Sequence, residues 1–184
     1  MRKVVLGLGF SLDGYIARLD GSVDFLFMPK DYSMGPFFAT IDTAIMGRKT
    51  YEVSLKMGGA GSSGGSSMTC YALSRSLPPG KRDGIIFSKD SPAALIEQIR
   101  KRPGRDIWLM GGGEIAREFL KADLVDELYL GGSGLPSPGE TRLLLCCKKR
   151  CNPATQDSLG VPPWRWWFFH ARTKISRFHR LPQS

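Results

Sequence analysis

The stretch Asp106–Leu120, DIWLMGGGEIAREFL, sets an apolar run against a helical pattern with three glycines between them. Asp106 to Met110 (DIWLM) reads as a strand, and Gly113 to Ala122 (GEIAREFLKA) as a helix. Glycine costs backbone entropy on ordering and brings no side-chain packing. Gly111, Gly112 and Gly113 in succession therefore need a reason, either a tight turn or backbone that something approaches closely. A strand that runs into bare backbone and then a helix start is the local form of an anion site. The N–H groups of Gly112, Gly113 and Glu114 can form a nest, aided by the helix dipole.

Working outward, the same succession occurs earlier. Thr43 to Gly47 (TAIMG) is a short buried strand, and the helical pattern RKTYEVSL follows it directly. Here Arg48, Lys49 and the Thr50 hydroxyl add donors beside Gly47. Two such turns at strand ends suit a ligand with two linked phosphates, and a dinucleotide is one. After a third strand, MTCYALS, the order Ser74, Arg75, Ser76 supplies hydroxyl, guanidinium and hydroxyl. Such a group can hold a phosphate monoester, the arginine bidentately, and the 2′-phosphate of NADP is a natural target. Taken singly, each of the three is an ordinary turn or surface tripeptide; the set carries the reading.

The rest of the first 132 residues alternates in the same way. Lys3 to Phe10 is a β-branched and apolar first strand, followed by the turn SLDG. DYSMGPFFATID has apolar residues at mixed helical spacing, with Asp31 as a candidate cap. GIIFS is a strand, DSPAALIEQIRKR a helix capped by Ser91 with Pro92 in its first turn, and DELYL a further strand. Gly58 to Ser67 reads as a low-complexity loop. Repeated alternation predicts an α/β sheet covered on both faces. The glycine pattern is not a Rossmann fingerprint, because GxGxxG should follow the first strand and the triple glycine lies late.

Composition bounds the answer. The 184 residues suffice for one ordinary domain, and 42% hydrophobic with 23% charged residues is a globular balance. No apolar run approaches the roughly eighteen residues of a membrane helix. Arg2 and Lys3 before an apolar stretch mimic a signal peptide, but Ser11 and Asp13 interrupt it, so a cytoplasmic protein is expected. Cys70 stands alone, and Cys146, Cys147 and Cys151 lack a second ligand pair at zinc spacing, with His170 and His179 distant. No metal site is expected. Of the net charge of +9, residues 131–184 carry +7, with nine Lys/Arg against two Asp/Glu. The basic character belongs to the tail, and a nucleic-acid partner is not expected of the body.

At this point GFSLDGYIA, IDTAIMGRKTYE, YALSRSL and WLMGGGEIAREFLKADLVDELYL, in that order, become specific. Together they resemble the dihydrofolate-reductase-like family that includes the reductase domain of bacterial riboflavin biosynthesis, over residues 1–132. The resemblance implies a three-layer α/β fold with a mixed, mostly parallel sheet of about eight strands and NADPH across their carboxyl ends. It implies hydride transfer to a small heterocyclic or ribosylamino-pyrimidine substrate, and a homodimer. It assigns Gly47, Arg48, Lys49 and Thr50 to the pyrophosphate and 2′-phosphate side, and Ser74 and Arg75 to the adenosine end. It sets Gly111, Gly112 and Gly113 under the pyrophosphate, with Glu114 opening the helix.

Two carboxylates are candidates on the substrate side. Asp13 ends the first strand, and its other reading is a turn residue bonded to its own backbone. Asp31 precedes Met46 by fifteen residues, similar to the spacing between the acidic residue and the MGR motif of dihydrofolate reductases, and its other reading is a helix cap. Phe37 and Phe38 either line an aromatic pocket or belong to the core.

Residues 133–184 depart from the family. The buried strand, crossover and final antiparallel pair expected after DELYL are replaced by a basic, aromatic-rich tail holding three of the four tryptophans and both histidines. A shifted reading frame, an altered exon, divergence or an added segment each produces such a change. WRWWFFHARTKISRFHR also mixes aromatic and basic residues as nucleic-acid and membrane-surface binders do. The alternatives to a reductase are thus a nucleotide- or RNA-binding protein using that tail, or an inactive product whose uncovered sheet edge aggregates.

Overall fold

The computed structural model describes residues 1–11, 14–26, 33–56 and 68–132, together with the backbone of residues 173–174. Among the described residues there are four helices and eight strands, the helices and six of the strands lying where the sequence predicts them. The strands are β1 (Val4–Phe10), β2 (Ile41–Gly47), β3 (Thr69–Leu73), β4 (Gly80–Arg82), β5 (Ile85–Ser88), β6 (Asp106–Gly111), β7 (Glu127–Gly132) and β8 (Thr173–Lys174). The helices are α1 (Gly35–Thr40), α2 (Arg48–Lys56), α3 (Pro92–Arg100) and α4 (Gly113–Lys121).

One sheet holds all eight strands in the order β4-β5-β3-β2-β6-β1-β7-β8. Pairing is parallel from β5 to β7, and only β4 and β8, at the two edges, run antiparallel to their neighbours. The interior strands read as continuous apolar runs because helices cover both faces. Leu128, Leu6, Leu109, Ile45 and Tyr71 share one register row. Leu6, Leu109 and Ile45 pack with Leu95, Ile96 and Ile99 of α3 and Ile115 and Phe119 of α4. The adjacent row, Val5, Trp108, Ala44 and Cys70, faces the other way. There Phe37 of α1 meets Val5 and Trp108, and Tyr51 of α2 meets Ala44, Met46 and Phe87. The result is the three-layer α/β fold with a mixed, mostly parallel sheet.

Local chemistry sets the element ends. Ser91 caps α3, its hydroxyl accepting from Ala94 N at 3.3 Å with Pro92 in the first turn. α1 differs from expectation. It starts at Gly35 with Met34 at its N-cap, whose side chain makes no cap bond, and Asp31, the candidate cap, lies outside the described residues. Pro36 in its first turn, with φ already helical, sets the start instead. Strand β4 is unforeseen because Gly80, Lys81 and Arg82 are all exposed and carry no apolar alternation. It pairs with β5 through a two-residue turn in which Asp83 and Gly84 both have positive φ, the hairpin form that Asp-Gly favours.

The edge of the sheet at the strands' amino ends is closed by ion pairs. Arg2 pairs with Asp42 and reaches Arg105 O at 2.7 Å, Arg105 N donates to Asp42 at 2.7 Å, and Arg100 pairs with Asp126 at 2.8 Å. Among the described residues, no helix is long and apolar enough to cross a membrane.

Candidate active site

The carboxyl ends of the strands bring the three predicted turns side by side. Gly47, which ends β2, pairs in register with Leu73, which ends β3. Met46 pairs with Gly111, which ends β6, and β6 neighbours β1. The Gly47–Thr50 turn therefore lies between the Ser74–Ser76 turn and the triple glycine, in an order the chain sequence does not reveal.

A hydrogen bond joins two of these turns. Gly112 N donates to Thr50 Oγ1 at 2.9 Å across 62 positions of sequence. Thr50 lies in the first turn of α2 and Gly112 is the N-cap of α4, so the bond ties together two helix starts. Both N-termini then direct their positive ends to one edge of the sheet. The amide of Gly112, expected in the anion nest, already has this partner. The first turn of α4 still leaves N–H groups, at Gly113 and Glu114, that no intrahelical carbonyl can reach.

The glycines separate into two kinds. Gly111 has φ +88°, and an added Cβ would come within 2.5 Å of Leu8 Cδ2, so the fold itself requires glycine there. Gly47 is not in the left-handed region, and an added Cβ would make only ordinary contact, 3.7 Å from Ile115 Cγ2. Among the described residues, nothing requires glycine at position 47. A bare backbone at a strand end, under two helix starts, fits a group that approaches from outside.

Charge is divided unevenly between the helix starts. α4 carries Glu114, an acid that suits the dipole, in its first turn. α2 has no acid in its first turn and opens instead with Arg48 and Lys49, both exposed. Arg48 pairs with Glu52 one turn on, with side chains 42% and 48% exposed.

At the third turn Ser74 is committed to the fold. It is 7% exposed, its N donates to Ser88 O at 3.1 Å, and its hydroxyl accepts from Leu77 N at 3.0 Å. Its Oγ lies 3.3 Å from Ser76 Oγ. Arg75 and Ser76 are the exposed groups of this turn.

On the substrate side, Asp13 and Asp31 lie outside the described residues. The residues flanking Asp13 are held firmly: Ser11 N donates to Tyr15 O at 2.8 Å, and Tyr15 N to Ser11 Oγ at 3.0 Å. Phe37 is core, buried with its ring centroid 4.2 Å from Tyr129 and 5.6 Å from Trp108. Phe38 is half-buried against Trp108, also at 5.6 Å. The cysteine cluster and both histidines of the tail lie outside the described residues as well.

The sequence profile of the RibD C-terminal domain matches residues 2–131, and the chain belongs to that family. Two uncharacterized proteins of Bacillus subtilis (strain 168) are similar to it. YwjB is 33% identical over 168 residues, covering 84% of this chain and 95% of YwjB. YyaP is 29% identical over 166 residues, covering 82% of this chain and 85% of YyaP. Residues 1–131 make up less than 84% of the chain, so the likeness to YwjB runs past the end of the profile. Among solved structures, a Shewanella sp. PV-4 protein provisionally assigned to riboflavin biosynthesis aligns with TM-score 0.63 at 25% identity. That alignment covers 77% of this chain and 82% of the other.

Proposed function

We propose that this member of the RibD C-terminal domain family is an NADPH-dependent reductase acting on a small heterocyclic or ribosylamino-pyrimidine substrate. The observation that carries the reading is the Thr50–Gly112 hydrogen bond, which fixes two helix starts over adjacent strand ends. Two positive helix ends held together suit two linked phosphates. The family is NADPH-dependent in general, which supports the same ligand.

The chain's own groups divide the work. Gly47 and Gly113 offer open backbone to the pyrophosphate, with the Glu114 amide beside them. Arg48 and Lys49 supply charge from α2, and Arg75 supplies it from the next turn toward the adenosine end. Ser74 acts through the turn it braces, holding Arg75 at the edge. The cofactor, when bound, supplies the hydride. Asp13 and Asp31 are the proposed carboxylates for orienting the substrate or passing it a proton. The proposed setting is cytoplasmic, with a small-molecule substrate and a homodimer.

The test is titration of the purified full chain with NADPH and NADH, followed by fluorescence, beside an Arg48→Ala, Arg75→Ala double variant. Saturable NADPH binding that weakens at least ten-fold in the variant is expected, on the order of 1–3 kcal/mol for charge-assisted contacts. NADH should bind poorly throughout. A folded chain that binds neither nucleotide removes the reading. Asp13→Asn and Asp31→Asn are expected to lower turnover while leaving NADPH affinity in place.

A further inference from the structure

Helix α2 opens against the ordinary preference of a helix N-terminus. Its first turn holds two cations and no acid, where the dipole favours anions. The carboxylate that answers them is Glu52, whose Oε1 accepts from Arg48 Nη1. Arginine ahead of glutamate is the weaker order for such a pair, and both side chains are about half exposed, so the pair adds little to the fold. Among the described residues, Lys49 and Arg75 have no acidic partner within ion-pair distance. Of the three cations at this edge, one is already neutralised.

We propose that Glu52 is a specificity-determining residue: by occupying the Arg48 guanidinium, it limits how strongly the site prefers a ribose 2′-phosphate to a free 2′-hydroxyl. The proposal rests on the reading of this edge as the NADPH site. A phosphate monoester carries close to two negative charges at neutral pH. To reach Arg48 it must displace the Glu52 carboxylate and then lie beside it. A 2′-hydroxyl meets no such repulsion. Glu52 therefore weakens NADPH selectively, and Lys49 and Arg75 carry the discrimination that remains.

The probes are NADPH and NADH, titrated against the full chain and its Glu52→Gln variant at low and high salt. The amide keeps the size of the side chain and removes its charge. One unit charge at contact distance in water changes an equilibrium by about five-fold. NADPH affinity is expected to rise by about that factor at low salt, NADH to stay within about two-fold, and the gain to shrink at high salt. Glu52→Lys should extend the gain. Equal shifts for both nucleotides, no shift for either, or a loss of NADPH affinity in Glu52→Lys overturns the proposal. When wild type binds NADPH and Glu52→Gln matches it, Glu52 alone is refuted. When wild type binds neither nucleotide, the site reading falls and takes this inference with it.

Discussion

Thr50 Oγ1 accepts the amide proton of Gly112 at 2.9 Å, and through that bond the helix that follows β2 is fastened to the helix that follows β6. Both groups are only partly exposed, so water replaces the bond poorly. Thr50→Val keeps the shape and removes the acceptor. It is expected to cost about 1–2 kcal/mol of stability, the lower part of the range for leaving a buried donor unsatisfied, because both groups keep some contact with water. NADPH affinity should fall with it, because the two helix starts are no longer held in one geometry. Thr50→Ser restores the acceptor and should recover most of both. Urea unfolding and fluorescence titration on the three proteins check this. Thr50→Val that keeps full stability and affinity shows the bond to be incidental.

Gly111 makes a separate demand. Its φ of +88° is one that residues other than glycine rarely adopt, and Leu8 Cδ2 lies 2.5 Å from where a Cβ would stand. Gly111→Ala is expected to destabilise by about 1–3 kcal/mol, mostly through backbone strain. Leu8 Cδ2 is the far end of a flexible side chain, so Leu8→Ala in the same chain should relieve only the smaller, steric part. A double-mutant cycle by chemical denaturation gives the division. Full recovery in the double variant makes the contact, not φ, the reason for the glycine.

The contrast between Gly111 and Gly47 shows what was legible in the sequence. Strand–glycine–helix patterns located both turns, since apolar runs and caps are local signals. They did not distinguish a glycine required by φ from one with room for a side chain, because that depends on Leu8 and Ile115, far away in the chain. Nor did they reveal that Ser74 braces its own turn against Leu77 and Ser88. Strand β4 was missed although its signal was present: Asp83-Gly84 is a hairpin dipeptide, but its three-residue partner strand has no buried face. The start of α1 is set by Pro36, with Met34 at the N-cap, while Asp31, a candidate cap or substrate-side carboxylate, lies outside the described residues. The adjacency of Thr50 and Gly112 follows from sheet order, which no local pattern contains.

Cys70 gives a pH-dependent expectation. It is buried on β3 at 6% exposure, and burial raises its thiol above the ordinary range. The folded chain then holds its thiol proton at a pH where the unfolded chain has released it. Stability from this group is complete below the ordinary thiol pKa and is lost as pH rises through the raised value. Urea midpoints should therefore fall above about pH 8.5, and fall less in Cys70→Ser. In thiol labelling, the component that Cys70→Ser removes should appear only at the rate of unfolding. Rapid labelling of Cys70 in the folded chain contradicts its burial.

Asp42 separates stability from binding. It stands at the amino end of β2, the opposite edge from Gly47, and pairs with Arg2, whose side chain is 9% exposed. The oxygen that pairs with Arg2 also accepts from Thr43 Oγ1 at 2.8 Å, and the other accepts from Arg105 N at 2.7 Å. Asp42→Ala leaves Arg2 nearly buried without its counter-charge. The expected cost is about 2–4 kcal/mol, below the upper end for buried pairs because Asp42 itself is 26% exposed. Asp42→Asn should cost less, since the amide still accepts hydrogen bonds. Under conditions where each variant is fully folded, NADPH affinity should match wild type, because the Gly47 and Gly112 turns keep their places at the far ends of the same strands. A variant that unfolds earlier yet binds equally well locates the ligand at the carboxyl edge. Weakened binding by a folded Asp42→Ala chain implies that the ligand, or the path coupling it to the sheet, reaches the edge at which Arg2 and Asp42 meet.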